Sequence, residues 1–284
     1  MADERDGTLD LTARAVGPAL AKALGQAVTV ENRPGDGGMR ALTAGAKARP
    51  DGHILWLAGT TDLTVAPRLA AKPPTRLEDF AGIGSVSETP LVIDVPAGSR
   101  FQSFAELAAE AKARPGTVRI RHSGHGTTGH LAILRLQERL DATFTAVADK
   151  ASPDRSDGTA DAVIARIPRE IGPRRGGPFK PLAVTGLKRA ATLPDTPTLN
   201  ELGLKGFEIV AVTGLFAPAR TPPATIGILA DALQKVLDDP EVQAKLKRLG
   251  SEARAMRPDA FDALLKQEDA AAAQMIEDGL LKAE

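Results

Sequence analysis

The groups in this chain best placed to do chemistry are concentrated in one stretch, SGHGTTGHLA, residues 123–132. Gly124-His125-Gly126-Thr127-Thr128-Gly129 matches G-x-G-x-x-G letter for letter. Glycines let the backbone approach a ligand closely. If a helix starts here, its first amides and its dipole favour a negative charge, and the hydroxyls of Thr127 and Thr128 add donors. The stretch therefore reads as an anion cradle. Three readings stay open on the motif alone: a dinucleotide fingerprint, a site for another anion, and a glycine-rich turn with no ligand. The dinucleotide version wants an acidic residue about 20 positions on, and Asp149 satisfies that nominally. The motif lies in mid-chain, however, after several predicted strands.

His122, His125 and His130 fall within nine residues of one another. Spacing of this kind raises metal binding, but no Asp, Glu or Cys stands among them, so no metal site is assigned. His130, at the predicted helix start, reads as a packing or capping residue. Ser123 lacks the G-x-S-x-G surroundings of a nucleophile elbow. Arg166, Arg169, Arg174 and Arg175 form a local basic cluster, read as a solvated loop rather than an anion patch.

The elements that must position these groups alternate short apolar runs with helical runs, which is the pattern of an α/β protein. Asp10 is expected to cap a first helix, with Val16, Leu20 and Leu24 on its apolar face and Gly25 at its end. AVTVE (27–31), a strand inside HILWLAGT, FAGIGSV, PLVIDVP, TVRIRHS, FTAV, DAVIARI and PLAVTG read as strands, and FEIVAVTGLFAP is a long apolar, β-branched run. Helices are expected over 39–48, after the capping box Ser103/Glu106, over 130–140, after Thr198/Glu201, and from Pro222 onward with breaks at Asp239-Pro240 and Arg257-Pro258.

Composition narrows the function. The 284 residues carry 36 Lys plus Arg against 36 Asp plus Glu, and this zero balance argues against a nucleic-acid partner. No cysteine is present, so thiol chemistry and disulfides are excluded. With 8 Phe, 1 Trp and no Tyr, stacking platforms for bases or sugars are scarce. Small polar side chains and backbone amides must therefore build any site. No apolar run approaches a membrane span, and MADERDGTLD contains no signal-peptide core. No cofactor is expected.

Several segments occur in a telling order: LGQAVTVENRPGDGG, AKARPDG, SFAELAAEAKARPG, SGHGTTGHLA, LAVTG, LPDTPTLNELGLKGFE, GLFAPARTPP and LGSEARAMRPDAF. Together they resemble the substrate-binding proteins of tripartite tricarboxylate transporters, the Bug family, over nearly the whole chain. The resemblance implies a two-domain α/β fold of the type II periplasmic-binding-protein kind. One domain would take residues 1–98 plus 218–284, the other 99–217. It implies a monomeric, non-enzymatic periplasmic receptor that closes on a small carboxylate or amino-acid ligand and delivers it to membrane components of a transporter. It also implies ligand contacts at Gly7, Thr8, Leu9, Thr60, Thr61, Gly126, Thr127 and Thr128. A degenerate family member acting as a sensor or interaction protein is the alternative, and a nucleotide-dependent oxidoreductase ranks third.

The chain departs from the family pattern in three ways. No export signal or first core strand precedes GTLDLTAR, so the N-terminus is read as incomplete. Ala148-Asp149-Lys150-Ala151 stands where the family has Pro-Tyr-Lys-Gly, which brings Asp149 forward as a further ligand-facing candidate. The next helix is shortened to SPDRSDGTAD, and Val212 replaces a frequent Trp.

Overall fold

The computed structural model describes residues 7–33, 35, 38–148, 159–167 and 179–282. Two compact units divide the chain. Unit 1 comprises residues 1–88 and 212–284, and unit 2 is the uninterrupted stretch 89–211.

Unit 1 begins with α1 (Thr8–Leu24), which Gly25 ends in the left-handed conformation, φ 65°. The helix starts two residues before Asp10. Its N-cap is Gly7, and Asp10 lies buried within the first turn rather than at the cap. There Asp10 accepts from Arg14 Nε at 3.0 Å and from Asn32 Nδ2 at 3.0 Å. Residues 27–31 form no strand. Val28 is 36% exposed, and β-branched residues make a strand only where a partner completes the ladder. Next come α2 (Met39–Ala46), β1 (Trp56–Gly59), α3 (Thr60–Thr64) and α4 (Ala66–Leu69). β1 pairs antiparallel with β7 (Val210–Pro218), Trp56 opposite Phe216.

The two predicted strands FAGIGSV and PLVIDVP are one continuous strand, β2 (Phe80–Pro96). Its first half belongs to unit 1 and its second half to unit 2. The C-terminal segment gives α7 (Pro223–Leu237), α8 (Pro240–Arg248) and α9 (Pro258–Glu277), each opened by proline as the sequence predicts. A two-residue β8 (Glu252–Ala253) pairs antiparallel with β2. Val16 and Leu20 of α1 pack with Leu229, Leu233 and Val236 of α7 over Leu57, Ile83, Val86 and Leu215 of the strands.

In unit 2 the second half of β2 lies between β5 (Ala162–Arg166) and β6 (Phe179–Val184), antiparallel to both. β5 runs parallel to β3 (Val118–His122), which runs parallel to β4 (Phe144–Ala148). α5 (Phe104–Ala113) is capped as predicted: the Glu106 amide donates to Ser103 Oγ at 3.2 Å. The Glu106 carboxylate in turn accepts from the Gln102 amide at 2.7 Å. α6 (Thr128–Leu140) covers β3 with Ile133 and Leu136, which pack on Ile120, Ile164 and Leu107. The Thr198/Glu201 box closes reciprocally at 3.0 and 2.7 Å, but only turns follow it. Gly203 and Gly206, both at positive φ, end any helical propagation.

Candidate functional site

β3 delivers the chain to the loop 123–127 at its carboxyl end, and α6 starts at Thr128. This strand–loop–helix order is what the glycine motif requires for anion binding. Gly124 and Gly126 sit at φ 142° and 71°, which side-chain-bearing residues rarely adopt. Thr127 is the N-cap in an extended conformation, φ −71° and ψ 161°, and its side chain does not cap the helix. Both of its donors go to the Gly124 carbonyl instead, Oγ1 at 2.7 Å and the amide at 3.3 Å. The amides that α6 leaves without an intrahelical acceptor are those of Thr128, Gly129 and His130. Among the described residues, none of these three has a hydrogen-bond acceptor.

The loop is braced by imidazoles. His122, the last residue of β3, donates from Nδ1 to the Gly124 carbonyl at 2.9 Å. His130 accepts the Gly126 amide on Nδ1 at 3.2 Å, which fixes its remaining proton on Nε2. The His122 and His130 rings are stacked, 4.7 Å between centroids and 8° between planes, and His125 leans on His130 at 4.6 Å. Burial pushes the His130 imidazole down to about 4, and the two neighbouring imidazoles act in the same direction. Burial also lowers His122. Both rings are neutral near pH 7, and among the described residues no group of His, Asp and Glu is arranged to hold a metal. Arg121 precedes His122 and is only 2% exposed. Its guanidinium donates to Thr159 Oγ1. This buried cation is a feature the sequence reading missed, because TVRIRHS alternates like a half-exposed strand and nothing local marks which arginine turns inward.

The other expected contacts lie in unit 1. Gly7, Thr8 and Leu9 open α1, where the first turn already contains the buried Asp10 carboxylate. Thr60 and Thr61 open the short helix α3, where Asp62 reaches back to accept the Gly59 amide at 2.9 Å. Thr60 is buried, and its hydroxyl is donated to Glu268 Oε1 of α9 at 3.1 Å. Burial raises the Glu268 carboxyl above its usual range. The Thr60–Glu268 contact spans more than two hundred residues and carries no sequence signal. Asp149 lies outside the described residues, as do Arg169, Arg174 and Arg175.

The three helix starts therefore differ. α1 and α3 each have an acidic residue of their own in the first turn, and α6 has none. An α/β chain in two units, with a strand-end loop opening a helix that has no acidic residue in its first turn, matches what the resemblance to a solute-binding receptor implies. The profile of the tripartite tricarboxylate transporter family receptor matches residues 12–280, and the chain belongs to that family.

The family is one of receptors rather than enzymes. A protein encoded in the tcbD-tcbE intergenic region of Pseudomonas sp. strain P51 is 32% identical over 92% of this chain and 80% of its own length. BugT of Bordetella pertussis is 30% identical over 89% of this chain and 79% of its own. Among solved structures, the periplasmic binding protein BugD superposes with a TM-score of 0.80, 30% identity and coverage of 99% and 96% of the two chains. MatC of Rhodopseudomonas palustris, with bound malate, superposes at 0.78 with 27% identity and coverage of 97% and 96%. An adipate-bound protein of R. palustris superposes at 0.82 with 25% identity and coverage of 97% and 94%. Among the described residues no helix is long and apolar enough to cross a membrane.

Proposed function

We propose that this receptor takes a small carboxylate-bearing solute in the periplasm and presents it to the membrane components of a tripartite transporter, and that one ligand carboxylate sits on the amides of Thr128, Gly129 and His130. One observation carries the assignment. Of the three candidate helix starts, α6 alone has no acidic residue in its first turn, so its dipole and free amides await an external anion. Gly126 and Thr127 shape the loop without lending it an open donor of their own: the Gly126 amide goes to His130, and Thr127 gives both donors to Gly124. Gly7, Thr8, Leu9, Thr60 and Thr61 are the family-implied contacts of unit 1. Thr60 would serve through its amide, since its hydroxyl is given to Glu268. Malate and adipate in the related structures make C4–C6 dicarboxylates the first probes.

Native mass spectrometry of the purified protein, followed by thermal melts with malate, adipate, amino acids and NAD, tests the reading. A carboxylate at about 100 times its dissociation constant adds about 2.7 kcal/mol, readily seen in a melt. A shift with NAD alone, or with no carboxylate or amino acid in the panel, defeats it.

A further inference from the structure

The anion loop is held at two points by imidazole nitrogens, and both rings belong to one contiguous stack. His122 Nδ1 engages the Gly124 carbonyl, His130 Nδ1 accepts the Gly126 amide, and the His130 ring contacts both His122 and His125. The bond from Gly126 has a special position. It runs from the second glycine of the loop, at φ 71°, to the third residue of α6, whose own amide is one of the three left open. The His130 ring thus ties the Gly126 amide to the anion-facing turn. We propose that His130 is the positioning residue of the anion loop: its unprotonated Nδ1 locks the Gly126 amide in place, and taking up a proton there unlocks the loop.

The chemistry gives the lock a direction. A neutral imidazole offers one acceptor nitrogen, and an imidazolium offers none. Protonating His130 would set a second N–H against the Gly126 amide, so the buried amide would lose its partner. The stack opposes this change, because burial and two neighbouring imidazoles all disfavour a charged His130. Among the described residues few other charges bear on the ring. Of the strands packed against α6, β3 carries Arg119, Arg121 and His122, β5 carries Arg166, and β4 carries no charged residue. Arg135, Glu138 and Arg139 of α6 itself lie at least a turn farther along the helix. No carboxylate on these strands favours the imidazolium, so the lock stays closed through the neutral range. This inference rests on the loop being the binding site only for its consequence for ligand. The lock itself is a property of the ligand-free protein.

The test is amide hydrogen exchange at Gly126, read by NMR on the full ligand-free chain and corrected for intrinsic rates. In the wild type, protection should hold from about pH 7 downward and fall as pH drops through about 4. Near pH 7 His130→Leu, which keeps bulk but has no acceptor, should lose about tenfold in protection relative to wild type, the worth of one hydrogen bond, and should show no acid step. His130→Asn places Oδ1 near the position of Nδ1 and should restore protection without the acid step. Three results would each overturn the proposal: equal protection in wild type and His130→Leu near pH 7, a folded His130→Asn no better than His130→Leu near pH 7, and wild-type protection indifferent to acid. If His130→Leu does not fold, the wild-type titration and the Asn variant decide alone. The melts with carboxylates interrogate ligand capture separately, so either idea can fail without the other.

Discussion

Replacing Thr128 by proline isolates one of the three open amides. Thr128 is the first helical residue of α6, where a missing N–H costs nothing within the helix and the fixed φ of proline is already suitable. The preceding residue must be extended, and Thr127 is, at ψ 161°. The same substitution at Thr127 would be less informative, because its amide is bonded to the Gly124 carbonyl and the loop itself would be disturbed. A hydrogen bond to a charged group contributes about 1.5–3 kcal/mol. At about 1.4 kcal/mol per factor of ten, Thr128→Pro should weaken carboxylate binding about 10- to 150-fold. Thr128→Ala, which keeps the amide and removes only the hydroxyl, serves as the control. Titration calorimetry with whichever carboxylate shifts the melt gives both affinities, and the ligand-free melts should agree within about 2 °C, the lower end of what 1 kcal/mol moves in a domain of this size. Unaltered affinity in Thr128→Pro alongside an unaltered melt would refute the claim that the start of α6 grips the anion.

Other outcomes follow from the packing and the buried ionisable groups. Gly129→Ala should raise stability by about 0.5–1 kcal/mol in chemical denaturation, since a helical glycine is replaced and the new methyl meets His122 Cβ and the Ile164 carbonyl at an ordinary 3.4 Å. Gly214→Ala should instead cost about 1–3 kcal/mol, because its methyl would overlap the Phe261 ring and approach Phe216 to 3.0 Å; Trp56, the single tryptophan and part of the same sheet, reports the loss by fluorescence. Glu268 binds its proton more tightly folded than unfolded, where its ordinary value is 4.5. Native protein therefore holds the extra proton above that value, and stability should fall as pH rises through the window. Glu268→Gln should remove that slope in urea titrations at several pH values, and parallel curves for variant and wild type would count against it. His130 has the opposite sign: between its unfolded value of 6.5 and about 4 the unfolded chain takes the proton first, so acidification across this window should destabilise wild type more than His130→Asn.

Much of this was legible in the residues, for stated reasons. The loop around Gly126 was visible because glycines, threonines and a following amphipathic run are all local signals. The proline-opened helices α7, α8 and α9 and the Ser103/Glu106 cap were visible for the same reason. Local signals misled where the outcome depends on a partner. AVTVE has strand composition but no ladder to join, and Thr198/Glu201 forms its capping box while Gly203 and Gly206 stop the helix it announces. Within the site, which amides remain open depends on where the Thr127 hydroxyl points, and its proximity to the Gly124 carbonyl is a matter of loop geometry. The histidine stack joins residues from the end of a strand, the loop and a helix, so its spacing matches no helical or strand period. The Glu268–Thr60 bond links chain segments made at opposite ends of the sequence.

The way unit 2 interrupts unit 1 bears on how the chain matures during synthesis. Unit 2 is contiguous and is complete once residue 211 has emerged, whereas α1 waits for α7 and α8, its packing partners from the far side of the interruption. At about 5–20 residues per second, the final segment takes roughly 4–15 s to make. For that interval α1 has only residues made earlier, Leu57, Ile83 and Val86 among them, to cover its apolar face, and the part of its packing that α7 and α8 supply comes last.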